Sequence, residues 1–426
     1  MQSQSSMSEV VSRVLFVIIG LIVYRFGSYI PVPGVDPVKL SHFFNSSGVL
    51  SYFNMFSGGA LSRMTIFALG IMPYISSSII IQLLSSVYAP LKELKKQGES
   101  GQRQITQYTR YLTLVLAFIQ SIGISKFIVS FGFVSLDLNI FYIVSVVSLT
   151  TGSVFLMWLG EQITERGIGN GISILIFASI ASGIPPALGR TFTQVREGNL
   201  SLVTLFLIAV LIIAITLFVV RFERAQRKIT VHYAKRQVGN KLYSGQSSHL
   251  PLKINMAGVI PPIFASSILI FPSTLAKWFA STPGLGWLNS VSLALSYGQP
   301  LFVLVYCLAV LFFCFFYTSL VFDPRETAEN LKKSGAFIPG IRPGAQTSSF
   351  INRVMSNLTL VGAIYIIIVC VVPMVFMHAW NVPFSFGGTS LLIIVVVVID
   401  FISQLQSYLM SSQYGNLMEK NKHRFR

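Results

Sequence analysis

The sequence predicts an all-α integral membrane protein of ten transmembrane helices, arranged as two related halves around a central pathway. Three observations carry that prediction. Hydrophobic residues make up 53% of the 426 and charged residues 11%, with a mean hydropathy of +0.69, which leaves too little polar surface to keep the chain soluble. Apolar stretches of about 20 residues, the length that a ~30 Å hydrocarbon layer demands of a helix, recur along the chain. Finally, residues 58–81 (GGALSRMTIFALGIMPYISSSIII) are echoed by residues 258–270 (GVIPPIFASSILI). At an offset of 188, Gly70/Gly258, Pro73/Pro261, Ile75/Ile263, Ser78/Ser266 and Ile80/Ile268 coincide. Glycine and proline free backbone groups that lipid cannot satisfy, so interrupted apolar segments in matching places of two halves point to a shared internal pathway.

The ten spans are taken in order. The first, 14–33, starts after Arg13 without a small-residue cleavage site and reads as a retained helix, not a removable leader. The second, 60–89, is irregular in its first third, which Gly58-Gly59 precede and Gly70 and Pro73 follow. Spans at 111–130 and 140–160 follow by length and apolarity. The fifth, 171–189, opens after Gly167-x-Gly169-x-Gly171, which no strand precedes, so these glycines make a tight turn instead of a nucleotide loop. Spans 201–220 and 299–322 contain no charge at all. Between them, 255–275 carries the second copy of the echo, and 354–377 and 387–410 complete the set.

An even number of spans puts both termini on one side, and loop charge selects that side. Most of the 31 Lys and Arg fall on loops facing it, which makes it cytoplasmic by the positive-inside rule. Two of these loops are strongly basic. Residues 221–253 hold eight Lys and Arg, Arg236 and Lys241 among them, against the single acid Glu223, and 323–353 hold five against Asp323, Glu326 and Glu329. Arg342, set between Pro339-Gly340 and Pro343-Gly344, sits at a defined loop tip. Such surfaces suit an anionic partner: ribosomal RNA, an acidic protein face or anionic lipid.

Chemistry-bearing patterns are sparse. The five histidines are scattered through loops and tail with no metal-ligand spacing. No cofactor or metal is expected, and no phosphate-binding loop is present, so any ATP is hydrolysed by a partner. Cys307, Cys314 and Cys370 lie inside spans, as small apolar residues do. Asp400 and Arg25 are the clearest ionisable groups within spans and would be the anchors of an ion-coupled transporter, the second reading of the chain. Ser153 would be the nucleophile of an intramembrane hydrolase, a third reading that lacks a histidine within a span to act as base.

Longer strings carry a resemblance. FNMFSGGALSR at 53–63, IFALGIMPYIS at 66–76, GESGQRQITQYTRY at 98–111, MWLGEQITERGIGNGISI at 157–174, HLPLKINMAGVIP at 249–261, FDPRETAENLKKSGAFIPGIRPG at 322–344 and FGGTSLLI at 386–393 occur in that order. In these the chain resembles the SecY family, the channel subunits of the bacterial protein-export translocon. The resemblance implies a clamshell of two inverted five-helix halves, residues 1–190 and 191–410, followed by a cytoplasmic tail at 411–426, with basic loops at 221–254 and 323–353. It implies a pore ring of Ile71, Ile75, Ile172, Ile176, Ile263 and Ile393, and a plug at 58–69 containing Gly58, Gly59, Ala60, Leu61, Ser62, Arg63 and Phe67. A lateral gate would set Ser76, Ser77, Ser78 and Gln82 against Asn255, Ser266, Ser267 and Phe271. Arg236, Lys241 and Arg342 would dock a motor or ribosome. SecE- and SecG-like subunits, a SecA-type ATPase motor, the ribosome, membrane lipid and unfolded precursors are the implied partners, in the bacterial inner membrane.

Overall fold

The computed structural model describes residues 2–36, 40, 57–198, 200–233, 236–238, 241–243, 247–279, 299–379 and 387–424. Helices dominate: α1 (Gln2–Gly27), α2 (Met72–Val87), α3 (Ala89–Lys96), α4 (Glu99–Ser130), α5 (Leu138–Arg166), α6 (Gly171–Arg196), α7 (Leu202–Glu223), α8 (Ile260–Phe279), α9 (Pro300–Val321), α10 (Pro324–Lys333), α11 (Ala345–Ala379) and α12 (Gly388–Arg424). Among the described residues eight of them are long and apolar enough to cross a membrane, and α2 bends by 94° into α3. With α2 and α8, each of the ten predicted spans has its helix.

Boundaries differ from the sequence expectation where the chain is irregular. The first helix stops at Gly27, and the chain beyond it makes two turns and bridges Pro31 to Thr65 and Val35 to Val134. Span two begins at Met72, twelve residues later than expected, because 57–71 is a series of turns. Helix α6 continues to Arg196, so the link between the halves lies at 197–201 instead of 190/191. Helix α12 runs unbroken to Arg424, so the tail continues the last span.

The sequence echo has a structural counterpart. Gly70 and Gly258 both take left-handed φ values, 58° and 61°. Two residues after each a helix begins, with Pro73 and Pro261 in its first turn, where a missing N–H costs no helical bond. Ile75 N–H donates to the Ile71 carbonyl at 3.1 Å and Ile263 N–H to the Val259 carbonyl at 3.4 Å, the same bond in each copy.

The packing of helices repeats too. In the first half α2 packs on α4, α4 on α5, α5 on α6, and α1 on α6. In the second, α8 packs on α9, α9 on α11, α11 on α12, and α7 on α12. The α1·α5 contact is matched by α7·α11, where Phe222 stacks on Tyr365 with ring centres 3.9 Å apart. The same pairings recur five spans on, and because five is odd the second half is inverted relative to the first. The halves meet along two seams: α2 and α4 against α8 on one side, α6 and α1 against α12 and α7 on the other.

The basic loops, which the sequence reading left without secondary structure, carry strands. Strand β1 (Gln226–Tyr233) pairs antiparallel with β4 (Ser247–Lys253) and with β5 (Ala336–Phe337), giving the order β4-β1-β5, while β2 (Arg236–Val238) and β3 (Lys241–Tyr243) form a hairpin. Ile229, Val231, Leu252, Ala336 and Ile338 are buried against Ile351, Val354 and Met355 at the start of α11. The period-two alternation Ile229-x-Val231 and Leu250-x-Leu252 was the available signal.

Gly258 isolates the cost of the repeated turn. A Cβ there would meet nothing within 4 Å, so Gly258→Ala adds backbone strain without a clash. The expected loss is about 1 kcal/mol, while Gly258→Asn, which tolerates left-handed backbone, keeps most of the stability. Thermal-inactivation midpoints of the purified complex check this; equal midpoints for alanine and glycine would refute it.

Candidate pore, plug and seam

All six ring candidates fall in one apolar cluster at the junction of the halves. Ile71, Ile75, Ile176, Ile263 and Ile393 are buried there and Ile172 packs against them half-buried. Ile71 caps α2, Ile75 lies on α2, Ile172 and Ile176 on α6, Ile263 on α8 and Ile393 on α12. These four helices face one another across the two seams. Their i,i+4 spacing puts Ile71 with Ile75, and Ile172 with Ile176, on single helix faces.

Phe67 from the turn segment joins the same cluster. Its ring lies parallel to Tyr24 on α1 and to Phe155 on α5, centres 6.1 and 5.9 Å away. Burying such a side chain is worth about 2–3 kcal/mol. The segment is also strapped to the chain after α1: Val32 N–H donates to the Met64 carbonyl at 2.8 Å and Ile66 N–H to the Ile30 carbonyl at 3.0 Å. Met64 holds a left-handed φ of 47°, costing roughly 1 kcal/mol, and is fully buried. At the other end the Tyr24 and Ser179 hydroxyls share a 2.6 Å hydrogen bond, and Tyr24 Oη donates to the Ser57 carbonyl at 3.4 Å. Ala60, Leu61 and Phe67 are buried, and Gly58 lies against Ser182 of α6, whose hydroxyl donates to the Gly58 carbonyl at 3.4 Å. Gly59 has open space around it, and Ser62 and Arg63 are half-buried.

Two glycines that the sequence reading passed over make the bed for this segment. A Cβ at Gly152 would collide with the Ile66 carbonyl, and one at Gly27 with the Phe67 ring. Nothing in a single sequence marks a helical glycine as a notch, because the partner that fills it is distant along the chain.

The seam differs from the expected face-to-face polar contact. Ser77 Oγ donates to the Pro73 carbonyl at 2.8 Å, and Ser266 and Ser267 to the Ile263 carbonyl at 2.9 and 2.8 Å, so these serines bond back into their own helices. Gln82 Nε2 donates to Ser78 Oγ at 3.1 Å, and Gln82 Oε1 is buried without a partner. Among the described residues, the side-chain bond that crosses from α8 to α2 is a long one, Ser267 Oγ to Met72 Sδ at 3.9 Å. Ser76 is half-buried on α2. Asn255 is taken up elsewhere: its amide donates to Glu223 Oε1 at 2.7 Å and the Gly258 carbonyl at 3.2 Å, and accepts from Gly258 N–H at 3.1 Å. It therefore pins the turn before α8 to the end of α7 and faces no serine stripe. The side chains of Phe271, Arg236 and Lys241 lie outside the described residues. Arg342 is exposed in the turn between β5 and α11, flanked by left-handed Gly340 and Gly344. Asp400 is half-exposed and sits 3.9 Å from Lys253, a surface pair and not a buried relay.

Comparison with known proteins agrees with this geometry. The SecY family model matches residues 65–402. The chain belongs to the SecY family. It is 59% identical over 424 residues to "Protein translocase subunit SecY" of Escherichia coli strain K12, covering 98% of this chain and 96% of that one. The same description and identity apply to a Vibrio cholerae protein over 425 residues, again 98% and 96%. Among solved structures, "The structure of a protein conducting channel" aligns with a TM-score of 0.68 at 17% identity over 95% of this chain and 93% of that one. A SecY structure whose plug domain is described as stabilising the closed state aligns at 0.67, 18% identity and the same coverage. Canine Sec61, in a ribosome-channel complex, aligns at 0.65 and 17% identity, also over 95% and 93%. As a SecY protein the chain is a multi-pass protein-translocation channel of the bacterial membrane and not an enzyme.

The notch at Gly152 gives a direct test of how 57–69 is seated. Gly152→Val pushes against a backbone carbonyl that cannot rotate away. With the three native cysteines replaced, a cysteine at Ser62 is expected to react several-fold faster with an aqueous maleimide in the Gly152→Val channel. Unchanged reactivity would mean that the glycine is not what seats the segment.

Proposed function

We propose that the isoleucine cluster is the pore constriction, that 58–69 is its plug, and that the α2/α4–α8 seam is a lateral gate. The carrying observation is that the six isoleucines come from α2, α6, α8 and α12, the helices that meet across the seams, and share one apolar cluster with Phe67 of the plug. A narrow apolar ring dewets and so resists ions, while aliphatic side chains part around a polypeptide of any sequence and close again without specific bonds. A seam with little side-chain hydrogen bonding across it, and an unmet acceptor at Gln82, can be entered by a hydrophobic signal helix and released into lipid.

The same reading places both termini and the basic β-sheet unit in the cytoplasm, following the charge distribution, with the protein in the inner membrane. The two structural units are the halves joined at 197–201, with the sheet carried between α7 and α8 and between α9 and α11. Energy comes from outside the chain: a SecA-type motor or a translating ribosome docks on the unit that displays Arg236, Lys241 and Arg342, and SecE- and SecG-like subunits brace the helices. Solved relatives bound to ribosomes, canine Sec61 and the yeast Ssh1 complex, support that choice of partner.

Replacing Ile75 and Ile263 together with Asn hydrates the ring from both halves. Resting conductance in planar bilayers is expected to rise about tenfold, the effect of ~1.4 kcal/mol off the barrier, and export of a signal-defective precursor should improve. Wild-type values for both would refute the ring.

Arg342→Glu is expected to leave assembly intact, since the side chain is exposed, and to abolish most precursor-stimulated ATPase activity of the motor on reconstituted vesicles. Arg342→Lys should fall between, because it keeps the charge and loses the planar fork. Full stimulation by the glutamate variant would remove this residue from the docking surface.

A further inference from the structure

At the end of the molecule opposite the β-sheet, two arginines converge on one tyrosine. Arg25 lies on the last turn of α1 and Arg63 in the plug. Their guanidinium carbons stand 4.8 and 4.5 Å from the centre of the Tyr29 ring, and Arg25 Nη2 donates to the Tyr29 hydroxyl at 2.8 Å. The Nη1 atom of each arginine is buried and has no hydrogen-bond acceptor. Neither side chain is in an ion pair among the described residues. Hydrogen bonding from Arg63, reinforced by the charges of both arginines, holds the Tyr29 phenol below its ordinary range. Two like charges against one ring, with donors unfilled, leave a site in want of an anion.

Its surroundings indicate which. Phe26 is 74% exposed and Tyr29 53%, with Ile30 exposed beside them. That is the pattern of the membrane–water boundary, where rings sit at headgroup level. Paired guanidinium forks match phosphate oxygens.

We propose that Arg25 and Arg63 bind the phosphate of an anionic lipid headgroup beside Tyr29, and that this site exists only while the plug is seated. Resting on the plug assignment above, it follows that bound lipid holds the pore closed, since a ligand shifts a two-state protein toward the state it contacts.

The test uses the assembled complex in vesicles containing phosphatidylglycerol with a photoactivatable headgroup, and cross-linked peptides are mapped by mass spectrometry. Adducts on residues 24–30 and 61–66 are expected, falling about fivefold in Arg25→Gln or Arg63→Gln and largely restored in Arg63→Lys, which shows that the fold is intact. Unchanged adducts in the double glutamine variant would overturn the proposal. So would their absence from the wild-type complex together with loss of another subunit in Arg25→Gln, which would mean that a partner's carboxylate fills the site. Resting conductance is read in parallel. If millimolar inorganic phosphate on the plug side closes channels in pure phosphatidylcholine as well as phosphatidylglycerol does, the phosphate site stands with the free ion as its source. If adducts fall in the variants while conductance stays flat, the anion site stands and the plug role is what fails.

Discussion

Everything in this molecule follows from one constraint: inside a hydrocarbon layer, irregular backbone survives only where protein satisfies it. The chain breaks its helical pattern at 57–71, between two spans, and had to supply partners there. It does so with ladder bonds to residues 30–32, a Tyr24–Ser179 clasp and two glycine notches that let carbonyl and ring approach closely. The segment at the centre is thus held by few directional bonds and by the burial of Phe67.

The seams obey the same constraint in another way. Serines along α2 and α8 satisfy themselves on carbonyls of their own helices. Among the described residues the halves have no short side-chain hydrogen bond across α2 and α8, and their contact there is mostly packing. Packing between lipid-like surfaces gains little over contact with lipid itself.

At the basic end the organisation is tighter. The sheet unit has its own small core, and β4 leads directly to Asn255, whose amide is fixed by Glu223 on one side and by the Gly258 turn on the other. Residues 254–259 join the end of β4 to the start of α8, which carries Ile263. Within that stretch the Asn255 amide ties the end of α7 to the turn before α8.

Read alone, the sequence determined the membrane class, the ten spans and the inverted repeat, because hydropathy and the Gly70/Gly258 and Pro73/Pro261 spacing are local properties. The isoleucines expected to form a ring were legible through resemblance and i,i+4 spacing, and in the structure they share one apolar cluster. Tertiary structure decided the rest. Which glycines serve as notches, where Asn255 spends its hydrogen bonds, how the basic loops fold into a sheet, and why Arg25 and Arg63 share Tyr29 all depend on partners dozens to more than a hundred residues away. Local patterning fixes which face of a helix is apolar; what that face meets is settled only when ten helices close around one another.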